Sequence, residues 1–191
     1  MDEIMIEDIR KACEVMQKGG VILYPTDTIW GIGCDATNAE AVKRVYEIKK
    51  RSDSKAMLVL VDNAVKVDFY VDGAPEVAFD LIELTNKPLT IIYDGAKNLA
   101  PNLIAEDGSV GIRVTSEEFS NQLCYRFRKA IVSTSANVSG EPSPATFGEI
   151  SDEIKQAVDY IVQSRQQENK ASQSSSIIKL GKGGQVKVIR E

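Results

Sequence analysis

Apolar residues recur at Ile6, Ile9, Cys13 and Met16, three or four positions apart. That spacing predicts an amphipathic helix over residues 4–18, with Gly19-Gly20 as its stop. A short apolar run at 21–24 follows and meets Pro25. Proline cannot donate to a sheet ladder, so the strand should end there and release Thr26-Asp27-Thr28 as a loop. Thr37 and Glu40 read as a capping box opening a helix. Its buried stripe is Val42, Val45 and Tyr46, which Lys49 continues. Residues 57–61 form a second apolar run. Residues 67–86 hold a helix with Pro75 in its first turn and Val77, Leu81 and Leu84 toward the core. Residues 89–93 read as a strand, and 94–107 as a polar loop with an apolar patch at 99–104. Residues 109–114 alternate as a strand carrying Arg113. Residues 117–129 form a helix presenting Phe119, Leu123 and Phe127, and 130–133 a short strand. A short helix at 146–157 and a strand at 158–162 come next. Residues 164–173 are polar, without periodicity, and are expected to be mobile. Two short strands flank Gly183-Gly184 as a hairpin. Strand-helix alternation of this kind predicts an α/β fold.

The chain has 191 residues, enough for one sizeable core. No apolar run approaches membrane-spanning length, and the acidic, amphipathic N-terminus does not read as a signal peptide. A cytoplasmic protein is expected. Cys13, Cys34 and Cys124 form no C-x-x-C pair, so neither a disulfide frame nor a zinc site is suggested. There is no histidine. That excludes Ser-His-Asp and Cys-His catalysis and any His-ligated metal. The net charge of −5 argues against a broad nucleic-acid surface. Only local clusters, Lys43-Arg44 and residues 49–55, could hold phosphate.

Two stretches carry candidate chemistry. In 21–61, Gly31 and Gly33 remove side chains where a backbone or ligand passes close. Lys49, Arg51 and Lys55 gather cations beyond the helix, and the Arg51 fork matches phosphate or carboxylate oxygens. A plain strand-turn-helix-strand with a solvated basic end accounts for the same pattern. Lys49 reads equally as a snorkelling stem or as a cation aimed into a pocket. In 133–144, small hydroxyl residues after a strand can donate to anionic oxygens without filling the space. A Ser/Gly/Pro-rich turn is the ordinary alternative. Arg113, a charge inside an apolar run, reads by itself as an edge arginine pointing to water.

The order of these segments carries more. YPTDTIWGIGCDA, a helix, IKKR, SVGIRV, STSANVSGEPSP and SSSII together resemble the YrdC-like family of threonylcarbamoyl-AMP synthases. The resemblance runs from about Gly19 to Arg190. It implies a twisted mixed β-sheet with helices on its faces and a concave polar cleft. It implies a single domain over 1–191, without the additional C-terminal domain of longer relatives. The activity implied is synthesis of L-threonylcarbamoyl-AMP and pyrophosphate from L-threonine, bicarbonate (or carbon dioxide) and ATP. The adenylate would feed the tRNA threonylcarbamoyl-transferase machinery. Lys49 and Arg51 become the catalytic basic pair. Thr28, Arg113, Ser133 and Ser175 become threonine contacts. Arg51, Lys55, Ser109, Ser135, Asn137, Ser143 and Arg190 become ATP contacts, with Asn137 bracing its loop. Magnesium would ride on ATP, with no protein-only metal site and no membrane partner. The chain departs from the family's pattern at Lys50, Ser52 and Ala56-Met57. It also departs at Leu60, where many relatives have histidine, and at Thr85-Asn86-Lys87-Pro88. Two other readings use the same features. One is a non-catalytic RNA-binding or ribosome-assembly factor with weak RNA affinity; the other is a different carbamoyl-adenylate former.

Overall fold

The computed structural model describes residues 1–51, 57–170 and 172–191. Helix α1 (Glu3–Gln17) is capped by Asp2, whose carboxylate accepts from the Met5 N–H at 2.8 Å. Ile9, Cys13 and Met16 are buried as the spacing predicts, while Ile6 is exposed. Asp8 lies on the buried face too. It accepts from the Tyr160 hydroxyl (2.5 Å), the Ser164 N–H (2.7 Å) and the Ser164 hydroxyl (2.6 Å). Those bonds satisfy a buried carboxylate and tie α1 to a segment 152 to 156 residues on.

Strand β1 (Ile22–Tyr24) stops at Pro25 as expected. The chain then returns as β2 (Gly31–Gly33), antiparallel to β1. Two glycines hid that strand, because glycine carries no strand propensity. A Cβ at Gly33 would lie 2.5 Å from the Tyr24 ring, so only glycine lets the two strands pair over that side chain. Helix α2 (Ala39–Ile48) is capped by Asn38, not by a Thr37–Glu40 box. The Thr37 hydroxyl instead donates to Asp35 at 2.6 Å.

The sheet continues through β3 (Leu58–Val61), β4 (Leu89–Tyr93), β5 (Val110–Val114), β6 (Ile131–Ser135), β7 (Tyr160–Ile161), β8 (Ser176–Leu180) and β9 (Val186–Arg190). Among the described residues the order is β7-β1-β2-β6-β3-β5-β4-β8-β9, with parallel and antiparallel neighbours mixed. Helices α3 (Val67–Tyr70) and α4 (Glu76–Leu84) occupy the region expected as one helix. Pro75 stands at the cap of α4. Val77 and Leu84 are exposed, and the helix packs through Ala78, Phe79, Leu81 and Ile82. Apolar residues lie nearly all round α4, so several stripes fit the spacing; the small Ala78 selects the one that approaches closest. Helix α5 (Glu118–Phe127) buries Phe119, Leu123 and Phe127 as predicted. The helix expected at 146–157 is a 3₁₀ turn, Phe147–Glu149, and then α6 (Asp152–Ala157). Val158 is not in β7, which is two residues long.

The three cysteines are buried and unpaired. Burial pushes the Cys13 thiol up to about 11 and those of Cys34 and Cys124 higher still. They are packing residues, not nucleophiles. Among the described residues no helix is long and apolar enough to cross a membrane.

Candidate active site

Arg113 is the centre of the site. It sits on β5, an interior strand flanked by β3 and β4, opposite Leu60 on one side and Thr90 on the other. It is 2% exposed, so it is not an edge arginine reaching for water. A buried guanidinium needs partners for its five N–H donors. Nε donates to both oxygens of Asp27 at 3.0 and 3.2 Å. One terminal nitrogen lies 3.0 Å from Asp27 Oδ1 and donates to the Thr28 hydroxyl oxygen at 3.2 Å. The other faces Thr90 Oγ1 and Ser175 Oγ at 3.4 and 3.5 Å, longer and weaker contacts. Those two hydroxyls bond each other at 2.8 Å.

Arg113 opens onto a cleft of about 300 Å³. Sheet register explains who shares it. Leu58 lies opposite Ser133, and Thr90 opposite both Arg113 and Ile177. The lining includes Thr28, Arg51, Arg113, Ser133, Ser135, Ser143, Ser175 and Arg190, eight of the twelve positions singled out in the sequence. Trp30 forms part of the wall, its ring 4.8 Å from that of Phe147. Burial pushes the Arg51 guanidinium pKa down from its ordinary value.

Arg190 faces the cleft because of an irregularity. Val188 pairs with Ile178, but the next rung pairs Ile177 with Arg190, leaving Ile189 as an extra residue. One extra residue reverses which face the following side chain takes. Arg190 therefore joins Ile177 on the cleft side and donates to the Ser175 carbonyl at 2.9 Å.

The remaining candidates lie elsewhere. Lys49 is fully buried behind the cleft wall. Its ammonium donates to the carbonyls of Ser135 (2.5 Å) and Asn137 (2.8 Å), and its own carbonyl accepts from the Ser139 N–H. Burial, then the nearby Arg51 charge, pull its pKa down to about 8. It clamps the hydroxyl-rich loop to the end of α2. Asn137 braces the same loop by donating to the carbonyls of Val138 and Glu141. Ser109 precedes β5, four positions from Arg113, roughly 13 Å at about 3.3 Å per residue. Its hydroxyl is taken by Asp107 at 2.5 Å. Lys55, with Ser52 and Ala56, falls outside the described residues.

Sequence reasoning did not single out Asp27 or Thr90 as site residues. Each reads alone as an ordinary loop acid or strand threonine. Only the pairing of β4 with β5, and the turn after Pro25, bring them to Arg113. The segment expected to be mobile starts from fixed points. Ser164 is held by Asp8, and Arg165 donates to the Thr26 carbonyl at 3.0 Å and pairs with Glu117 at 3.1 Å. A second cavity, of about 510 Å³, lies beyond Asp27, between α4 and Arg165.

These features define a class: an α/β protein with a mixed sheet and a cleft lined by arginines and hydroxyls. The chain belongs to the Sua5/YciO/YrdC family, whose model, described as telomere recombination, matches residues 14–191. Threonylcarbamoyl-AMP synthase of Pseudoalteromonas translucida is 32% identical over 157 residues, 81% of this chain and 84% of that one. E. coli YciO superposes with a TM-score of 0.82 at 26% identity, covering 96% of this chain and 88% of its own. P. abyssi Sua5, solved with L-threonine, superposes with a TM-score of 0.80 at 23% identity; this chain spans 50% of its length.

Proposed function

We propose that this protein is a threonylcarbamoyl-AMP synthase, joining L-threonine, bicarbonate or carbon dioxide, and ATP. The observation that carries the reading is that one cleft gathers three arginines with a set of hydroxyls. Arg113 bonds Thr28 and faces Ser175. Arg51 shares the lining with the hydroxyls of Ser133, Ser135 and Ser143. A carboxylate suits the Arg113 group, and a phosphate chain suits Arg51 with Ser135 and Ser143. The relative from Pseudoalteromonas translucida bears the synthase name, and the Sua5 relative carries L-threonine.

In the proposed reaction the threonine nitrogen bonds the carbon of bicarbonate with loss of water, or that of carbon dioxide with loss of a proton, and a carbamate forms. Its oxygen then attacks the α-phosphorus of ATP, the bond to the bridging oxygen breaks, and pyrophosphate leaves with that electron pair. Negative charge grows on the phosphate oxygens, where Arg51 and Arg190 act electrostatically. Arg113, Ser175 and Thr28 hold threonine in line, a proximity effect. Lys49 keeps the Ser135 loop in place. Magnesium arrives on the triphosphate. Among the described residues no group of three or more acids, cysteines or histidines could hold a metal ion by itself.

Charge pairing weighs against the RNA-binding reading. Arg44 pairs with Asp159, Lys50 with Glu153 (2.7 Å), Lys129 with Asp35 (3.2 Å) and Lys179 with Asp107 (3.1 Å). Cations so neutralised give little counterion release.

Pyrophosphate release from ATP with bicarbonate and magnesium, with and without L-threonine, tests the proposal. Release that requires threonine and bicarbonate supports it; release indifferent to the amino acid overturns it.

A further inference from the structure

The turn after Pro25 contains a hydrogen-bond chain whose direction is fixed. The Thr26 hydroxyl donates its one proton to the Ile29 carbonyl at 2.7 Å. Thr26 Oγ1 then has only lone pairs left, and it accepts from the Thr28 N–H at 3.1 Å. The Thr28 hydroxyl lies 3.1 Å away on the same oxygen. With the Thr26 proton committed, Thr28 is the donor in that contact. Arg113 donates into one lone pair of Thr28 Oγ1. What Thr28 offers the cleft is therefore its remaining lone pair: an acceptor and not a donor. Both threonines are buried, and the Thr26 carbonyl is pinned from behind by Arg165, so the chain has little room to reverse.

We propose that Thr26, to which no role has been given, is a positioning residue that sets substrate selectivity by polarising Thr28. The proposal rests on the synthase reading for the identity of the amino acid. The Cα of an amino acid carries three groups to be placed. Its carboxylate suits Arg113 and Ser175, which offer donors. Its nitrogen, which carries the carbamate whose oxygen attacks the α-phosphorus, must face Arg51 and Ser135. The side chain is left against the Thr26–Thr28 turn, where the acceptor stands. A side-chain hydroxyl satisfies that acceptor; a methyl group leaves it desolvated and unpaired. Sites built to bond a substrate hydroxyl reject analogues lacking it far more strongly than apolar pockets reject a missing methylene.

The test compares L-threonine with L-2-aminobutyrate, which has hydrogen in place of the hydroxyl. Affinity is measured by calorimetry on the full chain without ATP, and pyrophosphate release is measured in parallel. The wild type should prefer threonine. Thr28→Val should lower threonine affinity about tenfold or more and change 2-aminobutyrate affinity less than about twofold. Thr26→Val leaves Thr28 in place but frees its hydroxyl to turn, so the preset acceptor is lost and the threonine preference should shrink about threefold or more, while Thr26→Ser should keep it. A merely structural role would lower both amino acids together. Equal losses for both in Thr26→Val, or an unchanged preference in Thr28→Val, overturn the proposal. Should Thr26→Val fail to fold, Thr26→Ala makes the same comparison. Threonine binding with the predicted preference but without pyrophosphate release would overturn the synthase reading and leave this one standing. No threonine binding to the wild type overturns both.

Discussion

Asp27 grips Arg113 side-on, through Nε and one terminal nitrogen, and leaves the other terminal nitrogen facing the Ser175 side of the cleft. The pair is almost dry: the side chains are 10% and 3% exposed. Breaking a buried pair by removing one partner typically costs about 3–5 kcal/mol, because the other charge is left uncompensated. Asp27→Ala should therefore unfold at distinctly lower urea concentration, by about 3 kcal/mol in stability. Asp27→Asn, nearly the same shape, should fold better than Asp27→Ala yet bind threonine more weakly than the wild type, because Arg113 loses its fixed orientation. Equal urea midpoints for Asp27→Ala and the wild type would mean that the pair does not hold Arg113.

Lys49 gives a pH signature. Its folded pKa is depressed to about 8 from an ordinary 10.5. Between those values the unfolded chain still holds a proton that the folded chain has released. Stability from this group therefore rises as pH climbs from about 8 to 10.5, and the burden of the buried charge is complete below about 8. A neutral amine keeps two N–H donors, so both carbonyl bonds can survive the change. Denaturant unfolding at pH 8 and pH 10 should show a gain in the wild type beyond that in Lys49→Met. An identical pH dependence in both proteins would exclude the depressed pKa.

Arg51 lines the cleft, and under the proposed reaction it meets the phosphates. Charge-assisted hydrogen bonds are typically worth about 1.5–3 kcal/mol. Arg51→Ala should accordingly lower threonine-dependent pyrophosphate release roughly ten- to a hundredfold at subsaturating ATP. An unchanged rate would remove Arg51 from the reaction.

The two glycines of β2 should behave differently. At Gly33 a Cβ would meet the Tyr24 ring at 2.5 Å and the Val132 carbonyl oxygen at 2.8 Å. At Gly31 its nearest neighbours stand at 3.4 Å. Gly33→Ala should lose about 1–3 kcal/mol through overpacking, read as a lower melting temperature, and Gly31→Ala much less. Any cost of Gly31→Ala should appear in ligand binding, since Gly31 lines the cleft.

These contrasts show what the sequence could convey. Pro25 ends β1 because a residue without an N–H leaves its mark in one dimension, and Lys49 is buried because helical spacing put it on the inner stripe. Leu89–Tyr93 has the bounds its apolar run predicts. The misses are features that exist only after pairing. β2 is a strand because Tyr24 needs an empty neighbour. Arg190 turns inward because of one unmatched residue in β9. Asp27 becomes a site residue only when β5 delivers Arg113 beside it. Of the site, the charges and hydroxyls were legible, and the network that gives each its direction was not.

The described cleft lining contains three arginines and no carboxylate. Such a surface should attract small anions, although Asp27 already meets the charge of Arg113. Sulfate, phosphate or citrate in a buffer should compete with the nucleotide, while chloride or acetate should do so less, following charge and oxygen geometry. Under the proposed reaction pyrophosphate is held by the same fields that attract the triphosphate. Turnover would then be paced by anion release, and a pyrophosphatase in the mixture, by consuming the freed anion, would keep it from occupying the site again.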